Sequence, residues 1–335
     1  MRYSLSTNTR RKTLSDLPYV ALVFTVCLLC WTAGYLYFVG FPIADSNVIL
    51  PLWDDLCSLL SNRVIVYVLG LSLFLLSAFV IQRINDIEML IRERTRIPFM
   101  LFILLVSSNA GLLPLKGVTF VLVCLVFVVY ELFNSYQLPE ATGKLFNAGV
   151  FIGVAGLFMP QALLFVPLLW IGMYQFRSLS YKSFMASLIG VLLIYWFVLA
   201  WCVWKHDFSI LMSLYSSLAN FDVFSFTLFR YHYIGFAGML LLLIVAFFHI
   251  QVDVFNNSVR VRQMLSFLLN MSAWSLVLLF LYSDNADSFM AILYIPASVV
   301  IAYFLENIRP RFCFILFYFM LALLCASYIM RIWSF

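Results

Sequence analysis

Two carboxylates stand side by side at Asp54 and Asp55, next to Trp53 and a short way after Asp45. Paired carboxylates can take a proton from an acceptor hydroxyl or hold a divalent cation. They are the candidate catalytic residues. A second group, Arg230-Tyr231-His232-Tyr233, sets a guanidinium among aromatic rings. That combination suits a phosphate or a sugar ring. Asp45, Arg230 and His232 are therefore candidate substrate-binding residues. A plainer reading stands beside this one, because acidic outside loops and aromatic belts are ordinary in membrane proteins.

Other chemistry is sparse. The three histidines, His206, His232 and His249, are too scattered for a metal site. No phosphate-binding loop, zinc-protease helix motif or serine-nucleophile elbow occurs at a plausible location. Nothing in the chain names a cofactor. Cys27 and Cys30 form a C-x-x-C, but inside an apolar run, where a thiolate is disfavoured. They read as small apolar residues on a helix. Ser107, Ser108, Asn109, Asn147 and Gln161 are the uncharged polar groups within apolar runs. Four of them fall near helix breaks and would satisfy freed backbone groups; a substrate path is the sharper alternative. No carboxylate, Lys or Arg lies at mid-run, which argues against a proton-coupled pump or a voltage sensor.

The elements that must carry these residues are membrane helices. Of 335 residues, 65% are hydrophobic and only 10% charged, with a mean hydropathy of +1.04. Soluble domains carry about 25% charged residues. The expected fold is all-α, a single polytopic domain over 1–335. Its apolar runs are 18–40, 64–82, 97–113, 117–134, 145–160, 161–176, 183–204, 233–250, 264–282, 289–305 and 312–330. That gives about eleven crossings. The stretches 97–134 and 145–176 are too long for one crossing of a core about 30 Å thick, so each must fold back as a helical hairpin. The breaks lie at Asn109 to Gly117 and at Pro160-Gln161. Short arms leave both hairpins open to a re-entrant path.

Charge bias sets the orientation. With eleven runs, 15 of the 20 Lys and Arg fall on the side of the N-terminus. Cytoplasmic loops are rich in these residues, so the N-terminus is expected in the cytoplasm. The opposite loops are acidic; the main ones are 41–63 and 205–230, the latter containing an interfacial helix. The net charge of +5 is thus a topological signal and gives no reason to invoke nucleic acid. Residues 1–17 form a basic tail. The run after it exceeds a signal-peptide core of about 7–15 residues, so it is read as a retained span. Residues 84–96 alternate charges with Ile and Leu and suggest an amphipathic surface helix.

The middle of the chain carries a resemblance. Phe146-Asn147-Ala148-Gly149-Val150-Phe151-Ile152-Gly153 leads to Leu157-Phe158-Met159-Pro160. Leu168-Leu169-Trp170, Phe176-Arg177-Ser178 and Ser187-Leu188-Ile189-Gly190 follow. Over about 60–205 this resembles an uncharacterised family of bacterial multi-pass inner-membrane proteins, which implies a bacterial inner-membrane location and no established activity. A weaker likeness runs to the GT-C glycosyltransferases, which use polyprenyl-linked sugar donors. By that likeness Asp54 or Asp55 would match the loop carboxylate of that family. The chain departs from it in a short first outside loop and in the lack of a large C-terminal outside domain.

The leading expectation is an envelope-biogenesis component or subunit of a membrane assembly, with the lipid bilayer and other membrane proteins as partners. A GT-C-like enzyme acting on a lipid-linked glycan is the alternative, with Arg230 on the donor phosphate. A transporter or flippase comes third. Whether the chain is an enzyme stays open at this stage.

Overall fold

The computed structural model describes residues 17–37, 62–91, 95–112, 115–138, 140–206, 208–219, 233–252, 258–308 and 310–334. Most of these residues are helical, with no strand among them. In chain order the α-helices are α1 (Leu17–Tyr37), α2 (Arg63–Glu88), α3 (Ile97–Ser107), α4 (Gly117–Asn134), α5 (Thr142–Phe158) and α6 (Val166–Gln175). Then come α7 (Tyr181–Lys205), α8 (Ser209–Ala219), α9 (Tyr233–Val252), α10 (Val259–Leu281), α11 (Ala286–Asn307) and α12 (Pro310–Ser334). Among the described residues eight helices are long and apolar enough to cross a membrane: α1, α2, α4, α7, α9, α10, α11 and α12. The chain is therefore a multi-pass membrane protein.

Each of the eleven apolar runs falls on a helix, but α3, α5 and α6 are shorter than the rest. They belong to the two predicted hairpins. In the first, α3 ends at Ser107, a short 3₁₀ turn follows at Ala110–Leu112, and α4 returns. In the second, Met159 adopts extended backbone after α5, and Pro160–Phe165 forms a 3₁₀ segment before α6. Proline lacks the amide that would continue α5, so the break falls on it.

The hairpins are shallow. At about 1.5 Å per residue, α4 and α5 are about 26–27 Å long against about 37–39 Å for α2 and α7. Their tips sit at one level, because α4 and α5 pack antiparallel along an aromatic ladder. Phe120 stacks on Phe158 at 4.6 Å and Phe127 on Phe151 at 5.2 Å. At the far end the Lys144 ammonium donates to the Asn134 carbonyl at 2.7 Å.

Helices α5 and α7 run parallel and approach each other closely. A Cβ on Gly149 would stand 2.2 Å from the Ser187 carbonyl oxygen, and one on Gly190 would stand 2.4 Å from that of Phe146. Gly153 and Gly156 continue the same seam against Ile194 and Tyr195. In hydrocarbon no hydrophobic force holds helices together, so small residues that let backbones touch provide the packing. This is the physical content of the small-residue pattern read at 149–153 and 187–190.

Helix α11 is the centre. Nearly all its residues are buried, including Phe289, Ile292, Pro296 and Ile301. A helix apolar on every side is one surrounded by other helices. The ends of α2, α4 and α6 meet the starts of α5 and α10 on one face, which carries Lys144, Arg177 and Arg260. This is the basic face of the sequence reading. The opposite face is the one that the sequence reading makes acidic.

One expectation is corrected. No separate surface helix covers 84–96. Instead α2 runs on to Glu88 and stops at Met89, whose φ of 48° is left-handed. Leu90, Ile91 and Thr95 are then buried. The Asn85 side chain accepts the Ile91 amide at 3.3 Å, turning the chain inward.

Candidate functional site

The acidic face is organised around the two hairpin tips. At the first tip the Trp31 indole of α1 donates to the Ser107 hydroxyl at 3.0 Å. The Asn109 side chain, 3% exposed, accepts the Gly111 amide at 3.2 Å and shapes the turn. The Tyr328 hydroxyl of α12 donates to the Cys30 carbonyl of α1. Gly235, near the start of α9, lies against Ser327 of α12. These contacts tie the acidic-face parts of α1, α3, α9 and α12 into one cluster. A cavity of about 20 Å³ lies between Ser108, Asn109, Gly235, Tyr294 and Ser327, room for a single water.

At the second tip the freed backbone is capped from outside the hairpin. The Trp274 indole donates to the Leu164 carbonyl at 2.9 Å. The Gln161 amide donates to the Ser217 carbonyl at 3.1 Å, and the Tyr282 hydroxyl donates to the Leu218 carbonyl at 2.8 Å. The last two hold the C-terminal end of α8 over the tip. That end leaves carbonyls without intrahelical partners, so the two donors serve as a side-chain cap. Helix α8 thus covers the space that the short hairpin leaves. Burial pushes the Tyr282 phenol above its ordinary range, because a phenolate there would lose water.

The basic face holds a buried ion pair. Glu88, 3% exposed in its side chain, meets the half-exposed Arg260 at 2.6 Å. The Arg260 guanidinium also lies 5.3 Å from the Tyr136 ring centre. Nearby, the Gln175 amide donates to the Gln263 carbonyl at 2.9 Å. These contacts pin α2 and α6 to α10.

The candidate residues fall as follows. Asp45, Asp54, Asp55, Arg230 and His232 lie outside the described residues. Ser107, Ser108, Asn109 and Gln161 cluster at the hairpin tips and support the turns there. Asn147 does not join them: it sits near the start of α5 on the basic face, where it donates to Glu131 at 3.4 Å. His249 packs edge-on against Phe304 at 5.2 Å. No group of metal-ligating side chains occurs among the described residues. Sequence reasoning missed Trp31, Tyr282 and the Glu88–Arg260 pair. An aromatic in an apolar run gives no sign that its polar atom is spoken for, and pairs so distant in the chain have no spacing signature.

Comparison with known proteins adds a family and no activity. The model of DUF6427, a family of unknown function, matches residues 49–335. No curated protein and no solved structure matches the chain.

Proposed function

The chain belongs to DUF6427, which carries no activity over to it, and we propose that it serves envelope biogenesis by engaging a lipid-borne substrate at the acidic face. The proposed setting is the bacterial inner membrane, with the N-terminus and basic face in the cytoplasm. One observation carries the reading. The segment with Asp45, Asp54 and Asp55 joins α1 to α2, and Arg230 and His232 immediately precede α9 in the chain. The acidic-face parts of α1 and α9 are both fastened to α12, through Cys30–Tyr328 and Gly235–Ser327. The described helix ends from which these two segments depart in the chain therefore meet at one cluster around the first hairpin tip.

That tethering also favours the GT-C-like reading over transport. A glycosyltransferase needs the base and the phosphate-binding cation beside each other. In this reading Asp54 or Asp55 takes the acceptor hydroxyl proton as Arg230 holds the donor phosphate. A transporter needs a polar path. Here α11 fills the centre with buried apolar side chains, and Asn109, Asn147 and Gln161 do not share a cavity among the described residues.

The test is purification of the full chain in mild detergent, with identification of the lipids and proteins retained. A lipid-linked glycan or its carrier is the expected companion, and its yield falls in Asp54→Asn, Asp55→Asn and Arg230→Gln. Retention of bulk phospholipid alone, unchanged in all three variants, refutes the proposal.

A further inference from the structure

We propose that the cleft between α1 and α2 is a binding groove for one hydrocarbon chain of a lipid in the leaflet at the acidic face. The proposal deepens the function proposed above by naming the substrate part that the membrane domain grips, and the groove can stand if that function falls.

The cleft has a volume of about 580 Å³ and lies between Trp31, Tyr35, Leu36, Val64, Tyr67 and Val68. Ligand sites commonly occupy about 300–1,000 Å³. A narrower extension of about 60 Å³ shares Trp31 and Leu71 with it and runs down to Phe24 and Phe74. From Leu36 to Phe24 along α1 the distance is about 18 Å at 1.5 Å per residue. One leaflet is half of a core about 30 Å thick. The groove therefore starts at the acidic-face end of both helices and stops near the bilayer middle, the length of a single leaflet's chain.

Its chemistry is that of a chain site. The Thr32 hydroxyl donates to the Leu29 carbonyl at 3.0 Å, and the Trp31 indole is committed to Ser107. Those polar atoms are thereby withdrawn from the cleft. The floor is an edge-to-face aromatic cluster: Trp31 meets Tyr67 and Phe74 edge-on at 6.1 Å each, and Tyr35 meets Tyr67 at 5.3 Å. Leu36 and Val68 on the rims are 71% and 61% exposed, so the groove opens sideways into the bilayer. Hydrocarbon is the medium at that depth, and a fixed aromatic wall gains dispersion contacts with a chain that mobile lipid does not give. The chain connecting the two walls, 38–62, carries Asp45, Asp54 and Asp55.

The test uses the full protein in nanodiscs containing a phospholipid with a photoactivatable group on its acyl chain. Mapped adducts on α1 and α2 should exceed those on the exposed α7 face, at Leu192, Trp196 and Phe197, by about tenfold. Val68→Trp fills the groove from its exposed rim and should abolish the excess; Leu36→Trp is the second variant should the first fold poorly. Equal labelling of the cleft and α7 overturns the proposal, since the cleft then holds ordinary boundary lipid. An excess that survives both variants, or a cleft left unlabelled because residues 38–61 fill it, overturns it too. Asp54→Asn separates the two readings. If cleft labelling persists while no headgroup preference responds to that change, the groove stands and the function proposed at the carboxylates falls.

Discussion

Gly143 and Gly149 lie on the same helix, and alanine should act oppositely at the two sites. Alanine is favoured over glycine in a helix by about 0.8–1.0 kcal/mol, so both substitutions start with the same gain. At Gly143 nothing lies within 4 Å of the new Cβ. Gly143→Ala should therefore stabilise the protein by about 0.5–1 kcal/mol. At Gly149 the Cβ meets the Ser187 carbonyl oxygen at 2.2 Å and its carbon at 3.0 Å. Both are backbone atoms and cannot swing aside. Helices α5 and α7 must part by roughly 1 Å, which forfeits a quarter to a half of the dispersion at each displaced contact. Overpacking costs about 1–3 kcal/mol, enough to outweigh the propensity gain. The two variants should differ by about 1–3 kcal/mol, the overpacking cost, since the propensity gain acts at both sites. The assay is denaturation in mixed micelles of mild detergent and dodecyl sulfate, followed by tryptophan fluorescence. Gly190→Ala should repeat the loss from the other helix. Combined with Gly149→Ala it should cost less than the sum, since one separation relieves both clashes. If Gly149→Ala is as stable as Gly143→Ala, the close seam does not exist and the parallel packing argued for α5 and α7 is wrong.

Four further outcomes are expected. Arg260→Ala strands the buried Glu88 carboxylate and should destabilise by about 1–3 kcal/mol, below the full cost of a broken buried pair because Arg260 is half exposed; Glu88→Gln in the same chain should recover most of the loss in the same denaturation assay. Tyr282→Phe removes the donor to Leu218 at a cost of about 1 kcal/mol, and should speed proteolysis around α8 while leaving the rest of the chain resistant. The same phenol gives a pH signature: its raised native pKa means its stabilising contribution is complete below the unfolded value of about 10 and fades as pH rises above that. Wild type should therefore lose stability in that alkaline range faster than Tyr282→Phe, and parallel curves would remove the argument. Sidedness is checked in intact cells: Cys57 should react with a membrane-impermeant maleimide, whereas Gly143→Cys in a Cys57→Ser background should react only after permeabilisation.

Much of this architecture was legible in the residues. Hydropathy marks helices because a bilayer forces every backbone amide to be paired within its own segment. Pro160 and the Asn109–Gly117 stretch marked the hairpins because a run longer than the bilayer is thick must turn. The segment 205–230 was read as containing an interfacial helix, and α8 occupies Ser209–Ala219 of it. The surface helix at 84–96 was misread for a definite reason. Its charges looked solvated, but Glu88 is neutralised by Arg260, a residue far away in the chain, so α2 continues and the following turn is buried. Asn147, grouped with the other polar residues as a possible substrate path, instead pairs with Glu131 on the basic face, a contact between helices that leaves no mark in its own run.

What the residues determined alone is the solvent: 65% apolar side chains in long apolar runs make this a multi-pass membrane helix protein. Those properties follow from transfer of each segment into lipid, which is local. The tertiary structure decided what depends on contact between distant segments. It put α11 at the centre, spent Gln161 and Tyr282 on capping α8, and paired Glu88 with Arg260. It also brought the described ends of α1, α9 and α12 together around the first hairpin tip. That convergence rests on packing between distant helices, and no property of a single helix could have announced it.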